Sequence, residues 1–125
     1  MRKADVLVFA TPIYYYEMCG QMKTMLDRAN PLYDSDYQFR DIYLLASAAE
    51  TEESVIDGAM KGISGWIECF PKSKLAGTVF GGGADAVGAI QEWKKALILG
   101  AYCRKTMNRC THRQAILFCI REKPW

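Results

Sequence analysis

The 125-residue chain has one histidine, no long apolar run and almost no excess of charge, and each scarcity removes a class of function. No stretch approaches the roughly 20 apolar residues that span a bilayer. The start, Met-Arg-Lys-Ala-Asp, is not followed by the apolar core of a signal peptide, so a cytoplasmic protein is expected. Five cysteines (Cys19, Cys69, Cys103, Cys110, Cys119) form an odd set without CxxC spacing; they read as free thiols, and no metal site is expected. A net charge of +2, with basic residues scattered apart from Lys94-Lys95 and Arg104-Lys105, gives no footprint for nucleic acid. There is no GxxxxGK followed by Ser or Thr, and no GxSxG, so the usual phosphoryl-transfer and serine-nucleophile signatures are missing. His112 lies in a basic, polar link and reads as a solvated surface residue rather than a general base. Chemistry carried by a bound cofactor is left as the stronger kind, because the protein then needs only to bind, orient and tune it.

What is present is an alternation of strand and helix. Half of the residues are hydrophobic and 24% charged, as in one soluble globular domain. Val6 to Ala10 is a continuous apolar run, as expected of a strand covered on both faces. Thr11-Pro12 is expected to break it, with Tyr14, Tyr15 and Tyr16 set in the break. Met18, Met22, Met25, Leu26 and Ala29 then share one helical face, and Asn30-Pro31 ends that helix. Ile42 to Ala46 is a second apolar strand.

Thr51 is an N-cap candidate for a helix whose buried face runs from Val55 to Phe70, with Glu52 and Glu53 suited to the positive end of its dipole. Gly58, Gly62 and Gly65 each weaken that helix by about 1 kcal/mol relative to alanine, and close packing on the sheet is the expected reason. Leu75 to Phe80 reads as a third strand ended by Gly81-Gly82-Gly83, and Ile90, Trp93, Leu97 and Ala101 mark a third helix. Repeated strand–helix units with short connections imply an α/β fold with a parallel sheet and right-handed crossovers.

In such a sheet a ligand sits beyond the carboxyl ends of the strands. Thr11 to Glu17, Ser47 to Thr51 and Gly81 to Gly88 occupy that position. The tyrosines can stack on a ring while their hydroxyls stay polar, although aromatic packing alone would also account for them. "GGGADAVG" does not have dinucleotide-fingerprint spacing.

The stretch "ADVLVFATPIYYYEMCGQMKTMLDR" resembles the third strand, flavin-ring loop and following helix of the flavodoxin-like NAD(P)H-dependent FMN reductase family. Asp5, Thr11-Pro12, Ile13-Tyr14-Tyr15, Gly20, Lys23 and Asp27-Arg28 carry the resemblance. "YLLASAAETEES" is similar to the fourth strand and its loop, and "KLAGTVFGGGADAVGAIQ" to the fifth strand and its exit. The resemblance implies a flavodoxin-like three-layer α/β/α sandwich with a parallel sheet, lacking the first two strands of the family order. It implies FMN as cofactor, NAD(P)H as hydride donor and a small-molecule electron acceptor such as a quinone or nitro compound.

The same resemblance implies flavin contact from Thr11, Pro12, Ile13, Tyr14, Tyr15 and Tyr16, with Ala48, Ala49 and Glu50 flanking the ring, and no catalytic acid or base. The family's Ser/Thr-rich phosphate loop has no counterpart here, so weak FMN binding is expected. Residues 1–105 read as a partial flavodoxin-like domain. Residues 106–125 read as an atypical tail, in which Ala115 to Ile120 is a possible added strand. With strands missing, Val6 to Ala10 is expected to form an apolar edge, covered either by the tail or by a second copy, and a homodimer is favoured. Two other readings stand beside the reductase: a non-catalytic domain that dimerises and binds no flavin, and an electron-transfer module. The net +2 disfavours the latter.

Overall fold

The computed structural model describes residues 1–86 and the strand Ala115–Cys119. Val6–Tyr14 (β1) runs through Thr11 and Pro12 to Tyr14, so the expected break does not occur. The physical reason is where Pro12 falls. Pairing with Ala115–Cys119 (β5) ends at Ala10, and pairing with Glu17–Met18 (β2) starts at Ile13. A missing N–H is tolerated in that gap. The chain then turns at Tyr15-Tyr16, and β2 returns antiparallel, pairing Ile13 with Met18 and Tyr14 with Glu17.

Gly20–Asp27 (α1) follows, shorter at its start than the periodicity predicts because Met18 belongs to β2. Asp41–Ser47 (β3) lies parallel to β1, and Lys74–Gly81 (β4) lies parallel to β3. Between them come a 3-10 turn, Glu53–Ile56, and Asp57–Glu68 (α2). Thr51 does not cap this segment: the residue in cap position is Glu52, with extended backbone and no side-chain cap bond. Thr51 is committed elsewhere, in the loop packed against the exit of β4.

The sheet has the order β5-β1-β3-β4, with β2 continuing beside the end of β1. β5 runs parallel to β1 in the register Val6–Ala115 to Ala10–Cys119. β1 is therefore an interior strand, and the edge-to-edge pairing of two copies through it has no free edge to use.

Among the described residues, both helices pack on one face of the sheet. Leu7, Phe9 and Ile13 of β1 and Ile42, Leu44 and Ala46 of β3 point into one cluster with Met22 and Leu26 of α1 and Ala59, Ile63 and Ile67 of α2. Each fully buried Leu, Ile or Phe contributes roughly 1.5–3 kcal/mol of transfer free energy. Trp66 stacks near Phe39 and meets Phe9 edge-on, with centroids 6.1 and 5.6 Å apart. Its Nε1–H donates to the Leu26 carbonyl (3.2 Å), tying α2 to α1. On the other face Val6 and Tyr43 are buried, while Val8, Ala10 and Leu45 are half-buried. The helix expected around Ile90 to Ala101 lies outside the described residues.

Candidate functional site

The parallel strands deliver three connections to one end of the sheet: the Tyr15-Tyr16 turn after β1, residues 48–52 after β3, and residues 82–86 after β4. Tyr15 and Tyr16 have φ of +51° and +66°. A two-residue hairpin loop with positive φ at both positions is the geometry that normally calls for Asn-Gly or Gly-Gly. Tyrosine there is strained, at a cost on the order of 1 kcal/mol or more per residue. The strain is not repaid by burial, since Tyr15 is 98% exposed and Tyr16 61%. Tyr14, the last residue of β1, is 46% exposed.

The turn is seated from below by α2. A Cβ at Gly58 would overlap the Tyr16 carbonyl oxygen and approach Glu17 Oε1 to 2.8 Å. Glycine is required here so that the helix can meet the turn's backbone directly. The glycine's role is thus packing on the hairpin, where packing on the sheet is expected from sequence. The Glu17 carboxylate accepts from the Met18 amide at 3.3 Å.

The other two loops are laced together. Ala48 N–H donates to the Gly81 carbonyl (3.2 Å), Ala84 N–H to the Ala48 carbonyl (2.8 Å), and Gly83 N–H to the Glu50 carbonyl (3.1 Å). A Cβ at Gly82 would lie 2.7 Å from the Glu50 carbonyl oxygen and 2.8 Å from Thr51 Cα, so this clamp too depends on glycine.

The residues singled out from sequence divide by exposure. Thr11 is 3% exposed and its hydroxyl is spent inside the fold. It accepts from the Cys19 N–H at 3.1 Å, ahead of α1, and donates to the Pro12 carbonyl at 2.8 Å. Ile13 and Ala48 are buried and Pro12 is half-buried. These four shape the frame. Tyr14, Tyr15, Tyr16, Ala49 and Glu50 are exposed and present side chains at the strand ends. Gly58 was not legible as a site residue, because what recruits it is tertiary contact with the tyrosine turn. Glu17, Gly82 and Asp85 fall in the segments that the sequence already places at the strand ends.

Chemically, the surface offers flat aromatic faces beside close-approach backbone, which suits a planar ring. It offers no Lys or Arg in residues 11–17, 47–53 or 81–86 to meet a phosphate dianion. Such a surface would suit the ring of FMN, while a phosphate would meet no cation in these loops. Among the described residues no group of side chains could hold a metal ion, and no helix is long and apolar enough to cross a membrane. A wide-open groove of about 850 Å³ runs along the outer side of α1, lined by Met1, Gln21, Thr24, Met25, Arg28 and Leu32 among others. None of the residues from which flavin contact is expected lines it.

Comparison with known proteins agrees with this architecture. A search of curated proteins finds no match. Among solved structures, the chain is similar to the Trp repressor binding protein from Bacillus subtilis. The TM-score is 0.61 at 23% identity, over 78% of this chain and 67% of that one. That likeness shows a flavodoxin-like α/β fold. A profile described as NADPH-dependent FMN reductase matches residues 1–98. With the match covering most of the chain, including every residue of the tyrosine turn and its two neighbouring loops, this protein belongs to the NADPH-dependent FMN reductase family.

Proposed function

We propose that the chain is a flavin-dependent NAD(P)H oxidoreductase whose ring-binding surface is the Tyr14–Tyr16 turn together with residues 48–50 and the 81–84 loop. One observation carries the reading: two strained, solvent-facing tyrosines at the carboxyl end of a parallel sheet, held in place by Gly58. Strain without a packing reward is expected where a ligand provides the reward. FMN, when bound, takes a hydride from NAD(P)H and passes its electrons to an acceptor such as a quinone or nitro compound. The chain's own residues bind and orient. Tyr15 and Tyr16 present ring faces, and the clamped 48–50 and 81–84 backbone fixes the wall that a ring edge meets. No side chain is required to move a proton.

Titrating the protein with FMN while following flavin fluorescence tests this. Quenching that saturates in the micromolar range is expected, because charge-assisted phosphate bonds of roughly 1.5–3 kcal/mol each are not supplied by these loops. Tyr15→Ala/Tyr16→Ala should remove the quenching. Absence of binding at millimolar FMN would refute the reading. The absence of a cation in the strand-end loops favours the second reading, a non-catalytic domain that binds no flavin, and that result would select it. The proposal extends to a homodimer in the cytoplasm, where NAD(P)H is supplied. With β1 paired on both sides, the dimer must use another surface. Sedimentation equilibrium at low micromolar protein should give twice the chain mass.

A further inference from the structure

We infer that the tyrosine turn is a strap that closes on the flavin. The positive-φ turn is its closed form, and the free protein exchanges it with a relaxed turn in which Tyr15 and Tyr16 leave that region. The inference rests on the ring-binding reading of this turn and adds how the ligand is admitted and held. The base of the strap is fixed. Ile13, Met18 and Cys19 are buried, and the Cys19 N–H donates to the buried Thr11 hydroxyl. The tip is not fixed in this way. Tyr15, Tyr16 and Glu17 are all exposed, so none of these side chains is anchored in the core.

Two opposed effects act on the tip. Backbone strain favours the relaxed form, by about fivefold or more for each of the positive-φ tyrosines. Against it stand the pairs Ile13–Met18 and Tyr14–Glu17, each worth a factor of about 1.5 to 5. The remaining contacts of the tip with described residues are slight. The Glu17 carboxylate accepts from the adjacent Met18 amide at a long 3.3 Å, and α2 meets the Tyr16 carbonyl through a glycine. The balance runs from about even to about tenfold in favour of the relaxed turn. A ring that stacks on the closed turn binds that form alone and draws the equilibrium toward it. Its apparent affinity is lowered by the closed fraction, about tenfold at the upper limit. The tyrosines therefore act in two opposite ways. Their ring faces hold the ligand, while the strain they impose makes closure depend on the ligand. Asn-Gly in the same turn would keep it shut.

Tyr16→Gly and Tyr16→Ala separate strain from stacking. Both lose the Tyr16 ring and keep that of Tyr15, and only glycine is at ease at positive φ. In a strap the free protein has already shed the strain, so the difference between the variants falls on binding. FMN titration of the full chain, followed by fluorescence quenching, should give a Kd about fourfold lower for Tyr16→Gly than for Tyr16→Ala. Their urea midpoints should be nearly equal. In a turn locked shut, the strain is present with and without ligand and cancels from binding. The two variants would then bind FMN equally, and Tyr16→Gly would have the clearly higher urea midpoint. That result overturns the inference and leaves the ring-binding reading standing. If neither the parent nor the variants bind FMN at millimolar concentration, the ring-binding reading falls and the strap falls with it.

Discussion

Replacing Gly58 with alanine isolates the contact that seats the tyrosine turn. In an exposed helix, glycine to alanine normally gains about 1 kcal/mol. Here the new methyl would run into the Tyr16 carbonyl oxygen and lie 2.8 Å from Glu17 Oε1. The Glu17 side chain can swing aside at little cost. The carbonyl cannot, because Tyr16 is fixed between two paired strands and can retreat only by displacing the turn. Overpacking of this kind costs roughly 1–3 kcal/mol, so the net effect of Gly58→Ala should run from about neutral to about 2 kcal/mol destabilising. Gly65 in the same helix has nothing within 4 Å of an added Cβ. Gly65→Ala should therefore gain up to about 1 kcal/mol. Urea unfolding followed by tryptophan fluorescence compares the two midpoints. FMN titration of the same proteins should show Gly58→Ala binding about tenfold more weakly, equivalent to roughly 1.4 kcal/mol, and Gly65→Ala binding as the parent does. Equal shifts of the two midpoints in the same direction, with unchanged FMN affinity in both, would refute the claim that α2 positions the turn.

Thr11→Val removes the acceptor of the buried Cys19 amide and should cost about 1–3 kcal/mol in urea unfolding, since that donor is then left unpaired. Tyr15→Asn/Tyr16→Gly puts residues suited to positive φ into the turn. It should stabilise the fold by about 1 kcal/mol while weakening FMN binding, and a loss of stability would show that the tyrosines are held by packing instead. Gly82→Ala should part the loops after β3 and β4, because its methyl would lie 2.7 Å from the Glu50 carbonyl. Amide exchange at Gly83 and Ala84 should rise accordingly.

Sequence by itself determined the element types and their order. The apolar run from Val6 and the 3.6-residue spacing through Met22 and Leu26 are local periodicities, and a local period reports which face of an element is buried. Chain order and strand–helix alternation then imply that the tyrosines, Ala49, Glu50 and the glycine run meet at one end of a parallel sheet. Boundaries were less legible. Thr11-Pro12 reads as a stop in one dimension, but the strand passes through it because pairing with β5 has ended there and pairing with β2 has yet to begin. Thr51 reads as a cap, but its loop is claimed by Gly82. Tertiary structure alone decided that β1 lies inside the sheet, since its pairing with Ala115–Cys119 joins residues more than a hundred positions apart. It alone turned Gly58 into the seat of the tyrosine turn and Thr11 into a buried structural hydroxyl. Close contact depends on distance in space, and for these residues spatial distance bears no relation to separation along the chain.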